Sequence, residues 1–357
     1  MRTEVVKITD VEKQSADISR AAALIKTGGI VVIPTETVYG LGGDGTNPNS
    51  SQKIYAAKGR PSDNPLIIHI ADPADAEKYA YTNSLYYRLA SAFMPGPLTV
   101  ILKKKDIIPK ETTGGLDSVA IRCPSHPIAH AIIKEAGVPI AAPSANISGR
   151  PSATEVEYVI EDFDGRVDMI VDGGACEIGL ESTIVLITES DGKEGLVLLR
   201  PGAITYDALC CICDNVTISP TIEGTLGENE RPLSPGMKYR HYAPSAPFIL
   251  LDGDEKDIIK FLQNEQKTKK CAILCYNEEA ALLNDEILLP IGARDDKVSH
   301  ARSLFSRLRE CDQIKPDVIY AHIPDKEGLG MALYNRMIRA AAHTILKIDD
   351  KLLKGNI

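Results

Sequence analysis

The stretch Pro139-Ile-Ala-Ala-Pro-Ser-Ala-Asn-Ile-Ser-Gly-Arg-Pro-Ser152 constrains the fold more than any other in this chain. It opens as a short apolar run, which fits a buried strand, and breaks at Pro143 into small polar residues. Ser144 and Asn146 stand two apart, so an extended backbone sends both side chains to one face. Gly149 and Pro151 then turn the chain, and Ser152 or Thr154, each with Glu three residues on, is placed to cap a helix. Strand, polar tip and helix start together gather hydroxyls, an amide and free backbone N–H groups, a setting that suits an anionic ligand. An ordinary αβ loop follows the same grammar. Alone, the stretch favours that plainer reading.

The grammar recurs. Residues 18–26 carry apolar positions at helical spacing and end in Thr27-Gly28-Gly29, a helix stop. Residues 29–43 follow as a β-branched run with a polar tip, where alternation puts Thr35 and Thr37 on one face and Glu36 on the other. Open α/β sheets bind ligands outside such strand ends, although a threonine-rich strand terminus looks the same locally. In residues 65–70 His69 interrupts an apolar strand, a pattern more often produced by a satisfied core or edge histidine than by a catalyst. Arg122 stands near the end of a strand starting at Ser118, either paired structurally or set to hold a carboxylate. Ser182 and Thr183 enter the strand at 180–187, and Arg200 precedes a Pro-Gly turn. Strand ends with Thr, Arg, Ser or Asn keep returning, and repetition is harder to assign to packing than any single case.

Between these strands a short helix runs to about Lys58, with Gly59 as its stop. Pro61 pushes Arg60 out of helical geometry. On one continuous helix Lys58 and Arg60 would diverge; with the helix ended between them they can converge on one anion. Phosphate or carboxylate is the matching ligand. Two solvated charges favouring the helix dipole are the common alternative.

At 357 residues the chain exceeds a typical single core, so two domains are expected. Its 44% hydrophobic and 25% charged residues are those of a soluble globular protein. No apolar run approaches the roughly 20 residues that cross a bilayer, and the start carries no signal core. A net charge of −9 argues against a bulk polyanion binder but not against a local basic pocket. The eight cysteines form no CxxC pair, and Cys210-Cys211-Ile-Cys213 has no nearby His to complete a zinc set, so cytosolic free thiols are expected. Residues 231–245 are dense in proline, aromatic and cationic groups, unusual for a tether. From Phe248 the pattern restarts as β-α-β-α, a small doubly wound domain. The expected division is 1–213, a linker at 214–246 that covers the site, and 247–357.

Together, Pro34-Thr-Glu-Thr-Val-Tyr-Gly-Leu41, Lys58-Gly-Arg60 with Pro65-Leu66, Pro95-Gly-Pro-Leu-Thr99 and Ser144-Ala-Asn146 resemble, in kind and order, the YrdC-type proteins. Ser234-Pro-Gly-Met-Lys-Tyr-Arg-His-Tyr-Ala-Pro244 and the second domain resemble the longer, two-domain threonylcarbamoyl-AMP synthases. The resemblance covers nearly the whole chain. It implies an α/β fold with an N-terminal twisted mixed sheet around a concave site, plus a smaller Rossmann-like domain. It also implies a cytoplasmic nucleotidyltransferase. L-Threonine, bicarbonate and ATP, with Mg²⁺, give threonylcarbamoyl-AMP and pyrophosphate for a downstream tRNA threonylcarbamoyl-transfer complex acting beside the anticodon.

Carried over by motif, Lys58 and Arg60 are the catalytic, phosphate-binding pair. Asn64, Ser118, Ser144, Asn146, Ser152 and Arg200 bind ATP with them, and Tyr239, His241 or Tyr242 of the linker covers the nucleotide. Thr37, His69, Arg122, Ser182 and the backbone at Ala142 match the threonine side, with Arg122 as the carboxylate partner and His69 in binding rather than proton transfer. No Walker loop is present, in keeping with a family whose site is a concave sheet surface. The competing reading is an RNA- or tRNA-binding accessory protein. Acidic balance, five Phe and no Trp weigh against the broad basic face and stacking aromatics it needs.

Overall fold

β-Branched runs and helices with one apolar stripe alternate through the chain, and each helix buries its stripe against a sheet. The computed structural model describes residues 2–190, 192–224, 232–234, 241–283 and 287–349. They divide into two units, Met1–Ser148 with Ser152–Tyr239, and Gly149–Pro151 with Arg240–Ile357. Within the expected linker, residues 225–231 and 235–240 lie outside the described residues.

The first unit runs β1 (Glu4–Lys7), α1 (Ser15–Lys26), β2 (Val31–Ile33), β3 (Gly40–Asp44), α2 (Pro48–Lys58), β4 (Ile67–His69), α3 (Ala76–Tyr79), α4 (Ser84–Phe93) and β5 (Leu98–Lys103). It continues with β6 (Ser118–Arg122), α5 (Pro127–Ala136), β7 (Ile140–Ala141), α6 (Val156–Phe163), β8 (Met169–Asp172), β9 (Thr183–Ser190), β10 (Lys193–Arg200), α7 (Tyr206–Cys210) and β11 (Val216–Ile218). Among the described residues these strands form one mixed sheet in the order β1-β8-β2-β3-β7-β4-β6-β5-β9-β10-β11. Its core joins Ile18, Ala21 and Ile25 of α1 to Ile128, Ala129, Ile132 and Ile133 of α5 over Val31, Ile33, Met169 and Val171.

The register at the sheet's centre builds the face that matters. β4 runs parallel to β6, and β5 antiparallel to it, so His69, Arg122 and Thr99 form one row across three strands. Two residues along, Ile67, Ala120 and Ile101 form a second row, which packs with Ile184 and Leu199. Two further residues along, Ser118 pairs with Lys103. Side chains two apart on a strand share a face, so the three rows line one surface: polar, apolar, then polar again.

The second unit comprises β12 (Phe248–Asp252), α8 (Glu255–Glu265), β13 (Cys271–Cys275), α9 (Asn277–Ala280), β14 (Leu288–Pro290), α10 (Lys297–Ile314), β15 (Val318–His322), α11 (Gly330–Ala340) and β16 (Ile345–Lys347). All its strand pairs are parallel, in the order β14-β13-β15-β12-β16, as the doubly wound expectation requires. Ile258, Ile259 and Leu262 of α8 close its core over Ile273 and Tyr320.

Some expectations fail for local reasons. Neither Ser152 nor Thr154 caps α6: Glu155 is its extended N-cap residue, at φ −135° and ψ 151°, without a side-chain cap bond. Residues 73–79 form no continuous helix but a 3-10 turn at Pro73–Asp75 and the single turn of α3, because Ala80 is extended and bridges to Lys104. The last helix stops at Ala340, since Ala342 and His343 take positive φ and turn the chain into β16. α5 escaped the sequence reading although Pro127 opens it and Gly137 ends it.

Candidate functional site

Arg122, the last residue of β6, is the hub of the polar row. Its guanidinium donates from Nη1 to Thr37 Oγ1 at 2.8 Å and from Nε to the Gly96 carbonyl at 3.3 Å, and Nη2 lies 2.7 Å from Glu36 Oε1. The Pro34–Tyr39 connection therefore departs from the expected extended geometry. Thr35 Oγ1 donates to the Val38 carbonyl at 2.6 Å and lies 2.9 Å from Thr37 Oγ1, which bends the segment into a turn. Glu36 and Thr37 thus reach the same arginine, where strict alternation had put them on opposite faces.

Burial pushes the Glu36 carboxyl up, but the Arg122 charge and the Glu36 and Ser125 backbone N–H groups outweigh it and hold Glu36 below the ordinary range. His69 is fully enclosed; desolvation first, then the nearby Arg122 charge, draw its pKa down to about 3, so its ring is neutral. Its Nδ1 lies 3.2 Å from the Ile140 carbonyl, which can only accept. The proton therefore belongs on Nδ1, and Nε2 keeps a lone pair as an acceptor.

Arg200 closes the row from β10, donating from Nε to the Ser182 carbonyl at 3.0 Å and from Nη2 to Ser182 Oγ at 3.1 Å. Ser182 Oγ also meets Thr99 Oγ1 at 2.8 Å. One residue earlier, Glu181 accepts from Ser152 Oγ at 2.5 Å, which ties the predicted nucleotide hydroxyl to the threonine-side segment. That use of Ser152 is why it caps no helix.

The helix stop between the two cations forms where the sequence places it. Asn47 caps α2 through its side chain, and Gly59 ends it in the left-handed region at φ +61°, so Lys58 and Arg60 leave on different courses. Lys58 is buried and its Nζ donates to the Ser144 and Asn146 carbonyls, while its own carbonyl accepts from Ser148 N–H at 2.9 Å. Arg60 donates to the Asn64 carbonyl at 3.2 Å and the Pro65 carbonyl at 3.0 Å. The Asn64 side-chain oxygen is buried without a hydrogen-bond donor, an acceptor left for a ligand. Ser144 Oγ donates to Asn146 Oδ1 at 2.6 Å, so these two do share a face. The Ala142 N–H is spent on Ile67, which leaves its carbonyl as the group to offer.

Ser118 lies four residues before Arg122 on the same strand face. It lines a groove of about 500 Å³ with Ile101, Lys103 and Leu186, and with Leu233 and Tyr81 at its border. Tyr242 belongs to the second unit, where it is buried and its ring stacks on Phe305 at 5.2 Å. Tyr239 lies outside the described residues. No group of three or more His, Cys, Asp or Glu side chains among the described residues is arranged to hold a metal. Sequence reasoning gave Thr99 no role beyond its motif, missed Glu181 and misplaced Glu36; side-chain hydrogen bonds join the first two to Ser182 and Ser152.

Residues 23–202 match the Sua5/YciO/YrdC family, described as telomere recombination, and residues 204–342 match the family described as the C-terminal domain of threonylcarbamoyl-AMP synthase. The chain is 41% identical over 346 residues to the threonylcarbamoyl-AMP synthase of Bacillus subtilis (strain 168), covering 96% of this chain and 98% of the relative. The corresponding enzyme of Pyrococcus abyssi (strain GE5 / Orsay) is 40% identical over 334 residues, covering 92% and 95%. The solved structure of P. abyssi Sua5 complexed with L-threonine is similar at a TM-score of 0.88 and 38% identity, covering 98% of this chain and all of that one.

Proposed function

This chain belongs to the threonylcarbamoyl-AMP synthase family, and on that premise we propose that it converts L-threonine, bicarbonate and ATP into threonylcarbamoyl-AMP, pyrophosphate and water. Threonine and bicarbonate condense to the carbamate with loss of water. A carbamate oxygen then bonds to the α-phosphorus, the bond to the bridging oxygen breaks, and pyrophosphate leaves with that electron pair. The work asked of the protein is alignment and charge neutralisation.

The observation that carries this reading is the layered face, a polar row of His69, Arg122 and Thr99 separated by an apolar row from Ser118. Arg122, held by Thr37, Glu36 and Gly96, receives the threonine carboxylate. Neutral His69 accepts from the threonine hydroxyl through Nε2, and Ser182 supports that side with Arg200 behind it. In this reading the Ala142 carbonyl, level with Ile67, also serves the threonine. Lys58 and Arg60 neutralise the phosphates, with Asn64, Ser118, Ser144, Asn146, Ser152 and Arg200 around the nucleotide.

Mg²⁺ comes with the triphosphate, since the described residues offer no cage for it and the ion is commonly held by substrate phosphates. Among the described residues no helix is long and apolar enough to cross a membrane, which fits a cytoplasmic enzyme that supplies a tRNA threonylcarbamoyl-transfer complex.

Pyrophosphate release with Mg²⁺ and bicarbonate, with and without L-threonine, is the test. Threonine-dependent release by the native protein, lost in Lys58→Ala, is the expected result. Release that ignores threonine would overturn the acceptor assignment.

A further inference from the structure

The outer row of the face carries a cation that the reaction scheme has not yet used. Lys103 ends β5 directly opposite Ser118, the first residue of β6. Opposed residues of an antiparallel pair put their Cβ atoms about 5 Å apart on one face, so the two side chains start out as neighbours. β4 and β6 run parallel and so begin at the same edge; Pro65, just before β4, is where Arg60 is anchored at 3.0 Å. Three adjacent strands therefore present Arg60, Ser118 and Lys103 along one edge. Adjacent strands lie about 4.8 Å apart, so the row extends across roughly 10 Å.

Lys103 is exposed and pairs with no carboxylate among the described residues. What holds it is Tyr81: the ammonium stands over that ring, 5.7 Å from its centroid. Two acids, Asp117 and Glu189, also line the groove, and among the described residues neither forms an ion pair with Lys103. The Ser118 hydroxyl likewise has no partner among the described residues.

We propose that Lys103, steadied by Tyr81, is a further nucleotide-binding residue that contacts the phosphate chain leaving as pyrophosphate, in line with Arg60 and Ser118. The proposal rests on reading the Ser118 face as the nucleotide site. A cation on the leaving phosphates binds ATP and pyrophosphate but gains nothing from AMP, which lacks those groups. A lysine near the base or ribose would bind ATP and AMP alike.

The test compares ATP, AMP and pyrophosphate binding by calorimetry for the native chain, Lys103→Ala, Lys103→Arg and Lys105→Ala. Lys105 also stands over Tyr81, 5.5 Å from its centroid, and serves as the charge control. Lys103→Ala is expected to weaken ATP and pyrophosphate about tenfold. AMP stays unchanged, Lys103→Arg recovers most of the loss, and Lys105→Ala behaves as native. Equal losses for AMP and ATP, no loss at all, or the same loss in Lys105→Ala would each overturn the proposal. A native chain that binds neither ATP nor AMP would instead overturn the reading of the face as a nucleotide site.

Discussion

Each unit gathers charged and aromatic side chains at strand ends, but the two gatherings differ in what they leave over. In the second unit the connections leaving β13 and β15 run in opposite directions across the sheet, which makes their shared end a topological switch point. There Tyr276 stacks on His322 at 5.2 Å, and the fully buried Glu279 Oε1 lies 2.9 Å from His322 Nε2 and 2.8 Å from Arg294 Nη2. Glu279 Oε2 accepts from the Tyr276 backbone N–H at 3.2 Å, and Arg294 stands 4.7 Å over the Tyr276 ring. Most groups are answered by another; His322 Nε2 meets Glu279 by charge, without a hydrogen bond.

In the first unit two of the five Arg122 N–H groups are hydrogen-bonded, and the rest are met by the Glu36 charge alone. His69 Nε2, Asn64 Oδ1 and the Lys103 ammonium likewise keep capacity. Topology nominates a strand end as a site; a larger unspent hydrogen-bonding capacity is what sets the proposed one apart.

The largest effect should come from Lys58→Ala, which removes a buried cation and the tie to the Ser144–Asn146 carbonyls together. Threonine-dependent pyrophosphate release should fall about a thousandfold. A loss under tenfold would erase the distinction between the units. Glu279→Gln is the counterpart, stripping the carboxylate from His322 and Arg294. Chemical denaturation should show a second-unit transition weaker by about 3 kcal/mol, with pyrophosphate release at 20 °C (where the variant stays folded) close to native. Strongly reduced release at that temperature would give the second cluster a part in the chemistry.

Next in size, Arg122→Lys keeps the charge but loses the fork that spans Thr37, Gly96 and a carboxylate. KM for threonine should rise about thirtyfold while KM for ATP barely moves. Parallel rises in both would mean that Arg122 shapes the whole face rather than one end.

The smallest effect concerns pH. His69 is neutral when folded, with a pKa of about 3, and titrates near 6.5 when unfolded, so the unfolded chain takes up the extra proton between those values. Its contribution is present above about pH 6.5 and is lost as pH falls towards 3; Glu36, also held low, acts in the same direction below the carboxylate range. From pH 7 to pH 5 the native first unit should lose about 2 kcal/mol through His69, and His69→Asn should flatten that slope. An unchanged slope in the variant would show that His69 is not the titrating group.

Much of this was legible. Lys58-Gly-Arg60 could be read because helix, stop and Pro61 are neighbours in sequence, and local sterics settle them. Arg122 and Arg200 could be read as strand-end cations, and the second unit as doubly wound, from periodicity. Glu36 could not, because alternation presumes an extended backbone and Thr35 folds this segment into a turn. Ser152 looked like a helix cap because its partner, Glu181, lies 29 residues away. Thr99 and Lys103 look like ordinary strand residues until pairing with Arg122 and Ser118 gives each a row. Partners distant in sequence are what periodicity cannot supply.

The row spacing has a consequence for which acceptors the enzyme can use. A strand cannot stretch, so the distance from Arg122 to Ser118, four residues along β6, is about 13 Å in any substrate's presence. The sheet is therefore a fixed gauge. On the reading proposed above, an amino acid with one more backbone carbon, seated with its carboxylate on Arg122, would carry its carbamate out of step with a nucleotide held at Ser118. It would fill the pocket and react slowly, rejected by length rather than by chemistry.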